Sequence, residues 1–133
     1  MNDFRQKTEE EWRKELTPEQ FHTLREGGTE PAFTGTFVDN KEEGMYHCAA
    51  CGASLFPSST KFDSKTGWPS FTNPEVAEAI ELKEDGSLGM RRTEVLCTQC
   101  GGHLGHVFDD GPEEKGGKRY CINSTSLDFK PEF

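Results

Sequence analysis

The chain has 133 residues and a formal charge of −9, with 32% hydrophobic and 29% charged residues. That length suits one domain. The acidity argues against nucleic acid or an anionic membrane as the partner, and no apolar run approaches the ~18 residues of a membrane span.

Taken in order, the N-terminal stretch Met1-Asn2-Asp3-Phe4 carries no apolar signal region, which makes the cytoplasm the default location. Thr8 followed by Glu11 is a capping box that opens a helix with acids in its first turn. Trp12 and Leu16 share one face of that helix. A second helix starts at Thr17, with Pro18 at its first position and Gln20 closing the box, and it ends at Gly27-Gly28. From Thr29 the texture changes. Phe33, Phe37, Val38, Tyr46, Leu55 and Phe56 lie in short runs broken by glycine, proline and Asp39-Asn40, which predicts short antiparallel strands. Glu75 to Leu82 reads as a brief helix or a strand. Asp85-Gly86 is a hairpin signal, and a strand follows from about Leu88 to Leu96. Val107-Phe108 and Arg119 to Phe129 read as strands. The expectation is a single domain over 1–133, with its core at about 8–129 and a tail at 130–133. It is mainly β, and the ten phenylalanines suggest a core of large rings.

Two segments repeat: Cys48-Ala49-Ala50-Cys51-Gly52 and Cys97-Thr98-Gln99-Cys100-Gly101. Two C-x-x-C pairs place four sulfurs for a tetrahedral ion, and a closed four-sulfur site is characteristic of structural zinc. Iron accepts the same ligands. Zinc would clamp two distant hairpins and supply stability that a lean core lacks. A hydrolytic zinc site of the nucleobase-deaminase kind needs an H-x-E glutamate, and no histidine here is followed by one.

Five cysteines minus four leave Cys121. In an extended Arg119-Tyr120-Cys121-Ile122-Asn123, the first, third and fifth residues share a face. A guanidinium beside a thiol favours the reactive thiolate. The plainer alternative is an inert cysteine buried in a core strand. Other groups available to join it are His103 and His106, in a glycine-rich stretch read as a turn, and Trp68 within Gly67-Trp68-Pro69-Ser70-Phe71. Asp109 and Asp110 are placed to pair with Arg119 or to remain solvated.

Three motifs in this order, Gly67-Trp68-Pro69-Ser70-Phe71, Gly102-His103-Leu104-Gly105-His106-Val107-Phe108 and Arg119-Tyr120-Cys121-Ile122-Asn123-Ser124, resemble methionine-R-sulfoxide reductases of the B type. The cysteine pairs match that family's zinc-bearing members, and the likeness runs from about Trp12 to Phe129. It implies two antiparallel sheets packed face to face, with short N-terminal helices and a structural zinc held by Cys48, Cys51, Cys97 and Cys100. It also implies a monomer that reduces methionine-R-sulfoxide in proteins or peptides. By that likeness Cys121 attacks the sulfoxide sulfur and ends as a sulfenic acid. His103 and His106 protonate the departing oxygen or hold the water that does. Arg119 favours the thiolate, Asn123 orients the substrate or a histidine, and Trp68 and Phe108 receive the substrate. Many members carry a resolving cysteine two residues before the tryptophan. Here that position is Thr66, so an external thiol, such as thioredoxin, must reduce the sulfenic acid. Two other readings remain at this point: a zinc-stabilised binding module on the same fold, and a cysteine hydrolase. The second needs an oxyanion hole, for which the sequence offers no signal.

Overall fold

A computed structural model describes residues 7–85 and 92–131. The first helix, α1 (Glu9–Glu15), is capped by Thr8, and the second, α2 (Pro18–Glu26), by Thr17; both capping boxes are complete. Gly27 takes the left-handed conformation (φ 71°) that ends α2. Trp12 is buried at the α1 face, with the Arg25 guanidinium 5.1 Å from its ring. Leu16 and Phe21, flanking the second cap, are both buried, as a hydrophobic staple requires.

Among the described residues nine strands follow: β1 (Gly44–Cys48), β2 (Ser54–Pro57), β3 (Lys61–Phe62), β4 (Ser70–Phe71), β5 (Ile80–Asp85), β6 (Arg92–Cys97), β7 (His103–Phe108), β8 (Arg119–Ile122) and β9 (Leu127–Pro131). They form two antiparallel sheets, one ordered β2-β1-β9 and the other β3-β4-β8-β7-β6-β5. The mainly β, two-sheet expectation is met. Aromatic rings join the sheets. Phe56 of β2 stacks on Phe71 of β4 at 4.6 Å and meets Tyr120 of β8 at 5.8 Å, and Tyr46 of β1 reaches Phe71 at 5.2 Å. Offset and edge contacts of this kind add to simple burial. Tyr46, Leu55, Phe56, Phe71, Val95, Leu104 and Ile122 are fully buried between the layers.

Several local expectations need correction. Residues 29–43 contain no strand; Phe33 is exposed at a turn with φ 67°, its N–H bonded to the Gly67 carbonyl. Arg119 to Phe129 is not one strand. The chain leaves the six-stranded sheet after Ile122, makes a 3₁₀ turn at Ser124–Ser126, and enters the other sheet as β9. The break is forced by the change of layer, since Leu127 pairs with Cys48 while Cys121 pairs with His106. The stretch 75–82 holds both alternatives in turn, a 3₁₀ turn at Ala77–Ala79 and then β5. The strand onset at Leu88 and the hairpin glycine Gly86 fall outside the described residues; β5 and β6 pair antiparallel from Ile80↔Cys97 to Asp85↔Arg92. The tail does not begin at 130, because Lys130 and Pro131 pair with Met45 and Gly44.

The histidine stretch is strand rather than turn. Its ladder with β6 pairs Gly105 with Val95 but His103 with Leu96, so Leu104 is an extra residue in β7. Such a bulge resets the alternation of side chains. Two histidines three apart, which a regular strand would send to opposite faces, come together with ring centroids 5.3 Å apart.

Candidate active site and metal centre

Strand pairing builds the site. Cys121 of β8 lies opposite His106 of β7 on one side and Ser70 of β4 on the other. Directly opposed residues in antiparallel strands project to the same face, so thiol, imidazole and hydroxyl form a row across three strands. The next pair along, Phe108↔Arg119, extends that face. Gly105 permits the close β7–β8 approach behind it, as a Cβ there would fall 2.0 Å from the Cys121 carbonyl oxygen.

The row opens into a cavity of about 170 Å³ lined by Trp68, His106, Phe108, Arg119, Cys121 and Asn123, with Thr29, Thr66, Arg92 and Gly105 completing it. Every catalytic or substrate-binding residue expected from the sequence lines this space except His103. That histidine is buried behind His106, its Nδ1–H donating to Glu94 Oε2 at 2.5 Å. A carboxylate on Nδ1 fixes the tautomer and the ring plane. Glu94 carried no sequence signal, because its partner lies across a ladder whose bulge the sequence does not announce. A larger cavity of about 700 Å³ adjoins the site, between α2 and residues 29–37, but contains neither the thiol nor His106.

Trp68 is fixed at its indole, whose Nε1–H donates to the Glu30 carbonyl at 2.8 Å. Its loop is braced by linked hydroxyls: Ser64 Oγ lies 2.7 Å from both Thr66 Oγ1 and Ser70 Oγ. Asn123 is buried, and its amide holds the architecture: Nδ2 donates to the Leu104 carbonyl, and Oδ1 accepts from the Glu30 N–H, each at 3.0 Å.

Arg119 is gripped by Asp110 through Nε–Oδ1 at 2.9 Å and Nη2–Oδ2 at 3.3 Å, and its guanidinium lies 4.5 Å from the Phe108 ring. This pair holds the Asp110 carboxyl below its ordinary range. Asp109 pairs instead with Lys118. Burial pushes the Cys121 thiol up; Arg119 pulls it back down, and the charges of Glu30 and Asp110 add to the rise. Desolvation disfavours the charged form, so burial works against the Cys121 thiolate while the cation beside it works in its favour.

The other four cysteines lie together. All four sulfurs are within 4.8 Å of one another, with Cys48–Cys100 at 3.7 Å and Cys51–Cys97 at 3.5 Å. A disulfide needs about 2.05 Å, whereas four sulfurs ~2.3 Å from a tetrahedral zinc lie about 3.8 Å apart. The spacing fits the ion. Four thiolates this close repel one another, so holding all four deprotonated needs a cation among them. One pair closes the β1–β2 hairpin and the other the β6–β7 hairpin, so the ion would join the two sheets. Gly52 and Gly101 adopt φ 81° and 76°, and their amides bond back to the Cys48 and Cys97 carbonyls. The amides that reach sulfurs are those of Gly102, 3.3 Å from Cys100 Sγ, of Ala53 at Cys51 and of Cys100 at Cys97.

Residues 16–131 match the family model of the SelR domain. The chain is 60% identical over 127 residues to "Peptide methionine sulfoxide reductase MsrB" of Methanosarcina barkeri, an alignment covering 96% of this chain and 89% of that protein. The chain belongs to the MsrB family. The similarly named protein of Leifsonia xyli subsp. xyli is 60% identical over 126 residues, covering 95% of this chain and 91% of its own. The MsrB fold extends further. The crystal structure of the Mis18 "Yippee-like" domain aligns with a TM-score of 0.53 at 16% identity, over 69% of this chain and 99% of that one. At that identity the likeness concerns architecture only.

Proposed function

We propose that this MsrB-family chain is a peptide-methionine (R)-S-oxide reductase working through a single redox-active cysteine, Cys121. The observation that carries the reading is one small cavity in which Cys121, His106, Arg119 and Trp68 meet. The sulfoxide methyl group packs against Trp68 and Phe108. The Cys121 sulfur attacks the sulfoxide sulfur while His106 protonates the oxygen, with His103 and Glu94 holding the His106 ring from behind. Arg119 stabilises the thiolate as it forms. In the net reaction the oxygen moves to Cys121, whose sulfur loses two electrons, and the thioether leaves. Cys121 is then a sulfenic acid.

Thr66 lines the cavity where the resemblance places a resolving cysteine, and the remaining cysteines are clustered as metal ligands. A thiol from outside, such as thioredoxin, therefore condenses with the sulfenic acid to a mixed disulfide and water. A second thiol releases Cys121. Zinc is the ion we assign to the four-cysteine cluster; with no open coordination position it cross-links the sheets and takes no part in the reaction. We assign the protein to the cytoplasm, as a monomer, in the repair of oxidised proteins. No helix among the described residues is long and apolar enough to cross a membrane.

The test is a single turnover without reductant, using separate R and S epimers and comparing Cys121→Ser. The expected result is about one methionine per chain from the R epimer alone, with sulfenic acid trapped on Cys121. No methionine from a reduced, metal-loaded sample would remove the enzyme reading and leave the binding module.

A further inference from the structure

One residue outside the sequence motifs bonds to two of the residues that line the Cys121 cavity. Glu30 lies in the loop after α2 and is 7% exposed. Its carbonyl accepts from the Trp68 indole at 2.8 Å, and its own N–H donates to Asn123 Oδ1 at 3.0 Å. Trp68 and Asn123 both line the Cys121 cavity, so one residue's main chain ties two of its walls together. The side chain then anchors that main chain: Oε1 accepts from the Thr125 N–H at 2.9 Å. Oε2 lies so close to Gly35 that a Cβ there would fall 2.2 Å away, and it has no hydrogen-bond partner. A buried carboxylate with a bare oxygen is unfavourable, and native structures keep such groups for a reason.

We propose that Glu30 is a positioning residue for sulfoxide reduction, its carboxylate fixing to Thr125 the backbone that holds Trp68 against one wall of the cavity and Asn123 in another. The kinetic part of this proposal rests on the reductase reading above; the structural part does not. The placement also explains a carboxylate where an amide would bond equally well to Thr125. The charged groups around Cys121 are Arg119 on its own strand, Asp110 from the loop after β7, Glu30 from the loop after α2 and Arg92 of β6, which lines the same cavity; His106 faces it from β7, and β4 offers neutral Ser70. Glu30 is one of the two negative charges that favour the thiol.

Glu30→Gln, Glu30→Asp and Glu30→Ala separate reach from charge. Glutamine keeps the acceptor for Thr125 and loses the charge; aspartate keeps the charge and loses the reach. The chain has two tryptophans, so the indole N–H region of a ¹⁵N-correlated NMR spectrum holds two side-chain signals, and Trp68→Phe assigns them. In Glu30→Asp and Glu30→Ala the Trp68 signal is expected to move and KM for the R-sulfoxide to rise roughly 10-fold, kcat changing less. Glu30→Gln is expected to restore signal and KM, while its Cys121 alkylates faster than wild type at neutral pH. Should Glu30→Ala not fold, the aspartate and glutamine variants carry the comparison. An unmoved Trp68 signal with KM within about twofold in Glu30→Asp would overturn the proposal, as would a folded Glu30→Gln that behaves like Glu30→Asp. If the wild type reduces no sulfoxide, the reductase reading fails, and the Trp68 signal still decides whether Glu30 positions the indole.

Discussion

His106 and Cys121 face each other across the β7–β8 ladder, and His106 at the same time meets a second histidine, His103, edge to face. The first lines the cavity that holds Cys121; the second does not. Replacing His106 by asparagine is expected to slow single-turnover methionine formation about 10²-fold, a usual figure for losing a general acid. Glu94→Gln, which still accepts from His103 but without charge, should give an intermediate loss. Alkylation of Cys121 at fixed pH, measured in the same variants, separates loss of the proton donor from a change in the thiol itself. A His106→Asn enzyme as fast as wild type would exclude it as the proton donor.

The resting state of Cys121 has a pH signature. Burial is the largest influence and raises the thiol, while Arg119 opposes it. The rate of alkylation by iodoacetamide should therefore rise through a midpoint above that of an ordinary thiol. Arg119→Met removes the opposing cation, so its midpoint should lie higher still, and at neutral pH it should alkylate more slowly. A midpoint that stays put in Arg119→Met would remove Arg119 from thiolate stabilisation.

The four-cysteine cluster predicts one metal ion per chain. Elemental analysis should find about one zinc, and chelation should lower Tm by more than ~10 °C, given that structural zinc contributes on the order of 10–16 kcal/mol in small peptides. Cys97→Ser is expected to lose the metal and most of that stability. Cys121→Ser should retain both, since Cys121 is not in the cluster. Full thermal stability after complete metal removal would refute the cross-linking role.

The one-cysteine cycle can be converted. Thr66 shares the cavity with Cys121, so Thr66→Cys supplies a thiol within reach of the sulfenic acid. After one turnover without reductant, wild type should lose one titratable thiol per chain and Thr66→Cys two, with a 66–121 disulfide visible by mass spectrometry. A Thr66→Cys enzyme that loses only one thiol would show that the loop braced by Ser64 and Ser70 holds residue 66 too far away.

Much of the site is legible in the sequence. The C-x-x-C-G repeats specified the metal cluster because thiolate ligands at short local spacing leave few other arrangements. Subtracting them isolated Cys121, and strand alternation placed Arg119 and Asn123 on its face. Both helices could be read to their caps, because capping is a local hydrogen-bond problem solved within four residues. The strands were harder. Phe33, Phe37 and Val38 carry strand-forming side chains in a segment that forms turns, since strand formation depends on partners elsewhere in the chain. The break at Asn123 was missed for a related reason: it marks a change of sheet, and nothing in Arg119 to Phe129 names the partner on either side.

The sequence by itself determined the one cysteine outside the cluster, the four cysteines that cluster, the helix caps and the family, because each is written in residue identity and short-range spacing. Only the tertiary structure decided which histidine meets the thiol. The two differ in place through a single extra residue in β7, and a bulge has meaning only against the strand it pairs with. The same holds for Glu94 and Glu30. Both are ordinary acids in the sequence, and each acquires its place through a bond to a residue that folding brings alongside, Glu94 to His103, and Glu30 to Trp68, Asn123 and Thr125.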